Sequence, residues 1–172
     1  YDPSDNNFNC NGIIGPDRQW NPHAYEVAYQ YQNVWATLAK DYAAGDKKVS
    51  VDVHNEFFFR DLSNVGLKYA IISEGDTIFS GFIDDLSVAP QQTSRIDLPI
   101  DMSKADSETF LNIDFVLKSS EPLMQKNQVI AYAQWKLKDG NISAKHMISD
   151  YDSYAKSIKT KYSNKKKETI VS

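Results

Sequence analysis

After Gln32 hydrophobic and polar residues alternate along most of the chain. In KKVSVDVHN, Val49, Val51 and Val53 alternate with Ser50, Asp52 and His54. In VGLKYAIIS, Leu67, Tyr69 and Ile71 share a face, and RIDLPI alternates Ile96, Leu98 and Ile100. TFLNIDFVLK alternates Leu111, Ile113, Phe115 and Leu117, and QVIAYAQWKLK alternates Val129, Ala131, Ala133, Trp135 and Leu137. DTIFSGFIDDLSV offers Ile78, Ser80 and Phe82 to one side and Phe79, Gly81 and Ile83 to the other. A period of two puts neighbouring side chains on opposite sides of an extended backbone, so these segments read as strands with one apolar face. With VWATLAKDY there are seven, and AAGDK, SEGD, APQQT and KDGN supply turns between several of them.

Seven short alternating strands predict a mainly β fold, an antiparallel sandwich of immunoglobulin type. The Cys pair of antibody domains is absent, since Cys10 is the only cysteine. Pro99 suits an edge strand, where no N–H is needed. The first 21 residues, rich in Asn, Asp, Gly and Pro, read as loop. Asn21-Pro22 then suits a helix start, with Asn capping free N–H groups. A helix is predicted over 22–32, with Tyr25, Ala28, Tyr29 and Gln32 on one face. Beyond Asn141 the pattern weakens. Ile148, Tyr151, Tyr154/Ala155 and Ile158 are spaced as on a polar helix.

Composition narrows the function classes. A 172-residue chain with 41% hydrophobic and 24% charged residues can build a globular core with some chain to spare. A net charge of −4 gives no overall field for nucleic acid, and no apolar run approaches the roughly 18 residues of a membrane span. Residues 1–15 lack the basic start and apolar block of a signal peptide. Lys145–Lys167 holds seven lysines against Asp150 and Asp152, which reads as a solvated linker in preference to an anion-binding tail.

The candidate chemistry is sparse. His23, His54 and His146 show no metal spacing, and no GxSxG elbow occurs. Asp84 and Asp85, placed on a strand, would point to opposite faces. Asp61 suits a turn. Trp135 alternates into the core, whereas Trp20 in the loop is open to core or sugar-stacking roles.

Three stretches carry a family resemblance. FNCNGIIGPDR with NPHAYEVAYQYQ is similar to the end of the catalytic barrel of the β-galactosidases of glycoside hydrolase family 2. NEFFFRDLSNVGLKYAIISEGDTIFSGFIDDLSVAPQQTSRIDLPI resembles the immunoglobulin-like domain (domain 4) that follows that barrel, and IDFVLKSSEPLMQKNQVIAYAQWKL closes with its A-x-x-QW-x-L ending. The resemblance runs from about Asp5 to Leu137.

It implies three regions: 1–32, a remnant of the end of a (β/α)8 barrel; 33–139, the immunoglobulin-like sandwich; and 140–172, a linker or tail towards a following domain. In the family the residue matching Phe8 offers a backbone carbonyl to a sodium ion. The residue matching Asn11 offers its side chain to the same ion and to galactose. Asn9 stands where the family often has Cys, and Gln19, Trp20 and Asn21 replace a common T-P-H, which bears on the wall of the sugar site.

The implied chemistry is that of a retaining glycosidase, but no segment matches either catalytic glutamate. The chain is therefore expected to be inactive alone and to support the barrel. Na⁺, with Mg²⁺ as a second candidate, belongs to the parent enzyme. The expected partners are the rest of the parent chain (barrel and following β-sandwich) and its β-galactoside, without nucleic acid or membrane. For the parent, a bacterial cytoplasm or periplasm is implied. The rival reading is an independent carbohydrate-binding or adhesive module with Tyr132 and Phe79 as outward platforms.

Overall fold

The computed structural model describes residues 12–140, 160–163 and 168–171. Helix α1 (Pro22–Gln30) leads into β1 (Val34–Leu38), β2 (Lys48–Asn55), β3 (Val65–Ser73), β4 (Asp76–Ile83), β5 (Thr93–Pro99), β6 (Thr109–Leu117) and β7 (Val129–Lys138). These seven strands form two antiparallel sheets, ordered β1-β2-β5 and β4-β3-β6-β7. The mainly β sandwich expected from the alternation is the fold, with Pro99 on the edge strand β5.

The core lies between the sheets. Val49, Val51, Val53 and Leu98 come from one, and Leu67, Tyr69, Ile71, Leu111, Ile113, Phe115 and Leu117 from the other. Register explains why these sets meet. Val51 pairs with Ile96 and Val49 with Leu98, while Leu67, Tyr69 and Ile71 pair with Phe115, Ile113 and Leu111. Each inward row is therefore apolar on adjacent strands. Burying such a side chain contributes about 1.5–3 kcal/mol, and a slip by one residue would turn every row outward. Tyr69 joins the sheets in another way, its hydroxyl donating to Pro99 O at 2.8 Å. Its ring lies across Gly81 on the paired strand, where any Cβ would overlap it.

Bulges correct several sequence expectations. A register shift at Ile71/Ile72 inserts Ile78 opposite the bulge, so Ile78 and Phe79 both pack against the core. Phe79 is thus no outward platform, and Phe82 is the aromatic that the strand exposes. A shift at Phe115/Val116 leaves Ile130 packed on the core and Val129 exposed, against the inward position that alternation gives Val129. Extra residues of this kind leave no trace in a period-two pattern. Asp84 and Asp85 fall just past β4 and not on it.

Side-chain caps hold the loops. Asp61, Asp85 and Asp101 each head an Asp-x-Ser triplet and accept a bond from the serine N–H two residues on, at 3.1, 3.1 and 2.9 Å. Asp61 forms the expected turn. The tight turn between β3 and β4 needs positive φ at Glu74 (51°) and Gly75 (90°), the geometry that two-residue hairpins favour. Asn55 is fully buried at the end of β2. Its Nδ2 donates to Arg60 O (2.9 Å) and Val88 O (3.0 Å), and its Oδ1 accepts from Phe57 N (3.0 Å).

Residues 140–172 form a separate unit. Within it β8 (Thr160–Ser163) and β9 (Glu168–Val171) pair antiparallel, Thr160 with Val171 and Ser163 with Glu168. The polar-helix expectation therefore does not extend to this segment. Thr160, Tyr162, Thr169, Ile170 and Val171 are residue types that favour extended backbone. Ile148–Ile158 lie outside the described residues.

Asn55→Ala would leave three backbone groups without their side-chain partner, at about 1 kcal/mol or more each. The variant should lose about 3 kcal/mol of unfolding free energy, read as a lower urea midpoint at unchanged m-value. A loss below about 1 kcal/mol would contradict this account of the loop.

Candidate functional site

The loop at 12–21 leads into α1, and local chemistry shapes both. Pro16 and Asp17 occupy the centre of a turn in which Arg18 N donates to Gly15 O (2.9 Å) and Gly15 N donates to Gln19 O (2.8 Å). Asp17 Oδ1 accepts from Gln19 N at 3.1 Å, and Arg18 takes a positive φ of 65° to close the turn. The returning strand bridges Ile14 to Trp20, and Trp20 leans on Tyr25 with centroids 5.3 Å apart at 57°. Trp20 remains half exposed beside it.

Asn21 does not cap α1 through its side chain, contrary to expectation. Its backbone O accepts from Ala24 N (2.8 Å), whereas its Nδ2 donates back to Gly12 O (2.5 Å) and its N–H to Ile13 O (3.1 Å). The side chain thus fastens the loop to the helix start. The bond to the Gly12 carbonyl turns the side chain towards the loop, and it makes no cap bond to the helix.

At the other end α1 meets the sandwich. The helix ends at Gln30, two residues short of the expected 22–32, and its expected face is only partly covered: Gln32 is buried and Tyr29 half-buried, Tyr25 and Ala28 are exposed, and Ala24, off that face, is buried. Tyr29 packs on Tyr132 of β7 (5.3 Å) and edge-on to Trp35 of β1 (5.5 Å). Gln32, 6% exposed, accepts from Tyr132 N (3.0 Å) and donates to Tyr132 O (3.4 Å). The next residue, Asn33, accepts from Glu56 N at 2.9 Å. Successive residues therefore grip both sheets.

The loops beneath this junction are locked together. Arg60 donates two bonds to Glu121, at 2.8 and 2.9 Å, and stands 4.8 Å over the Phe57 ring. Asn64 adds a third bond to Glu121 at 2.6 Å. Bonds from Arg60 first, and then Asn64, hold the Glu121 carboxyl below the usual glutamate range.

Phe8 and Asn11, the residues singled out for sodium and galactose, lie outside the described residues, as does His146. Asn11 precedes Gly12, the residue that Asn21 fastens. His23 sits exposed in the first turn of α1, and His54 bonds Thr93 on the outer face of its sheet (3.0 Å). Among the described residues no three His, Cys, Asp or Glu side chains are grouped to hold a metal ion. Trp135 is half-buried against the core, and Tyr132 is partly covered by Tyr29. The pattern contained one usable signal for Gln32: an amide in phase with the helix face that packs.

Comparison with known proteins gives a consistent picture. The family described as beta-galactosidase, domain 4 matches residues 51–138. The beta-galactosidase of Clostridium acetobutylicum is 32% identical over 137 residues, covering 80% of this chain and 14% of that protein. That of Pseudoalteromonas haloplanktis is 27% identical over 149 residues, covering 85% and 14%. That of Alteromonas mediterranea is 30% identical over 132 residues, covering 76% and 12%. The chain spans 12–14% of the length of these relatives.

The Glu121 lock sets a pH dependence. A carboxyl whose folded pKa is depressed stabilises above its unfolded pKa, and that contribution is lost as pH falls through the folded value. Stability should therefore decline below about pH 4.3, the unperturbed glutamate value. Glu121→Gln should make the thermal midpoint fall less steeply as pH drops below about 4.3. Parallel curves for the two proteins would remove Glu121 from the acid response.

Proposed function

The chain belongs to the β-galactosidase domain 4 family, and from that premise we propose that it is the non-catalytic sandwich of a retaining β-galactosidase, carrying at its N-terminal arm the last loop of the catalytic barrel. The family match over residues 51–138 carries this reading. The arm supports it: Ile13, Ile14, Trp20 and Tyr25 are each about half exposed (47, 47, 53 and 60%) on one short stretch. Apolar side chains gathered in this way suit contact with further protein.

In the proposed parent, the barrel supplies two glutamates about 5 Å apart, one as nucleophile and one as acid/base. This chain contributes neither. Its share is Asn11, whose amide would meet the galactosyl unit. With the Phe8 carbonyl, Asn11 would also supply oxygen donors of the kind that hard cations prefer, suited to sodium. The partners of the sandwich are then the barrel, the β-sandwich that follows, and through them the β-galactoside.

The test compares this chain with the complete parent on a chromogenic β-galactoside. The complete protein should release product and the 172-residue chain none. Turnover by the isolated chain, after removal of contaminating enzyme, would end the scaffold reading. So would a complete protein inactive on galactosides.

A further inference from the structure

We propose that Gln32 is a positioning residue: its side-chain amide latches the arm to the outer edge of β7 and thereby sets the place of α1 and the 12–21 loop. The inference rests on the function proposed for Asn11 and adds how the 12–21 loop that follows it is held.

The latch is a peptide mimic. β7 is the outer strand of its sheet. On such a strand alternate residues direct both N–H and C=O away from the neighbouring strand, and these groups need partners. Tyr132 is such a residue, and Gln32 meets its donor with Oε1 (3.0 Å) and its acceptor with Nε2 (3.4 Å). A primary amide offers a donor and an acceptor side by side, as a peptide group does. One side chain thus takes the place of an eighth strand. Tyr29, one helical turn earlier, packs its ring on the Tyr132 ring from the same side.

From this latch a short rigid path leads to the loop. α1 is nine residues, about 13 Å of helix. Its first turn begins at Asn21, which bonds Gly12 O and Ile13 O through side chain and backbone. Gly12 follows Asn11 directly. The sandwich therefore reaches Gly12 through two amide side chains and one helix.

The latch is not needed to hold the sandwich. The strands have their own ladders, and β1 is secured by Asn33 O to Glu56 N and by its pairing with β2. What depends on Gln32 is α1 and the loop before it.

Two measurements test this. In the present chain, Gln32→Leu should speed amide exchange in α1 and in 12–21 roughly tenfold or more, with β2, β3 and β6 unchanged. Gln32→Glu keeps the acceptor but, when ionised, has no donor for Tyr132 O. It should resemble the leucine variant at neutral pH and regain protection once acid protonates the carboxyl, a rescue that general loosening would not show. In the complete enzyme, Gln32→Leu should raise KM for a β-galactoside about tenfold while kcat changes less than twofold. Unchanged exchange in the leucine variant, or open exchange with unchanged KM, overturns the latch role and leaves the proposed function standing. A wild-type complete enzyme without galactosidase activity overturns the proposed function and the kinetic part together, while the exchange arm reads the latch separately.

Discussion

Everything in this molecule follows from the need of two sheets, each apolar on one face, to cover one another. Val51 and Leu98 on one side face Leu67, Ile71, Leu111 and Phe115 on the other, and all are removed from water. Because inward residues recur every second position, the pairing register is tightly specified. The outer faces are more polar, although Phe82 and Val129 stay exposed on the four-stranded sheet. On the β2/β5 sheet they carry cross-strand pairs such as Asp52 with Arg95 and Lys48 with Asp97. These exposed pairs add little stability. They keep the outer face wet, and so help to fix which face turns inward.

Burial of this kind creates a second demand at the ends of the sheets, where backbone groups lose their ladder partners. Short polar side chains meet it. Asn55 serves three backbone groups in the loops after β2 and before β5, and the Asp-x-Ser triplets at 61, 85 and 101 each close a turn. Gln32 does for the β7 edge what Asn55 does for the loops. The junction between arm and sandwich is thus made by the same device that finishes the sandwich, with the difference that its other end carries a helix and a loop.

Under the function proposed above, this arrangement is the physical means by which the sandwich would influence a sugar site. A sandwich is stiff because its core is densely packed, whereas a loop alone has many conformations to lose on binding. Fastening the loop to the sandwich through α1 lowers that loss beforehand. Ile13, Ile14 and Trp20 leave an exposed apolar side on the arm. The Arg60–Glu121 lock, close below, stabilises the ground on which the arm stands.

Periodicity alone located β3 to the residue, with β2, β6 and β7 within one position of the structure, because strong alternation with clear turns is a local property of the chain. The helix start, the Asp61 turn and the edge position of Pro99 were legible for the same reason. The family was legible in ordered motifs, while Phe8 and Asn11 rest on resemblance to that family. What stayed hidden was whatever depends on a partner remote in sequence. The inward turn of Phe79 and the exposure of Val129 come from bulges, which exist only against the neighbouring strand. Asn21 looked like a cap and became a tether because Gly12 O lies within its reach. Gln32 looked like one more residue of a helix face, yet its partner is a hundred positions away. The sequence by itself determined which residues are strands and which of their faces are apolar, since these follow from spacing along one chain. Only the tertiary structure decided which amides meet which backbone groups, since a hydrogen bond needs both ends placed to within tenths of an ångström and folding alone brings them together.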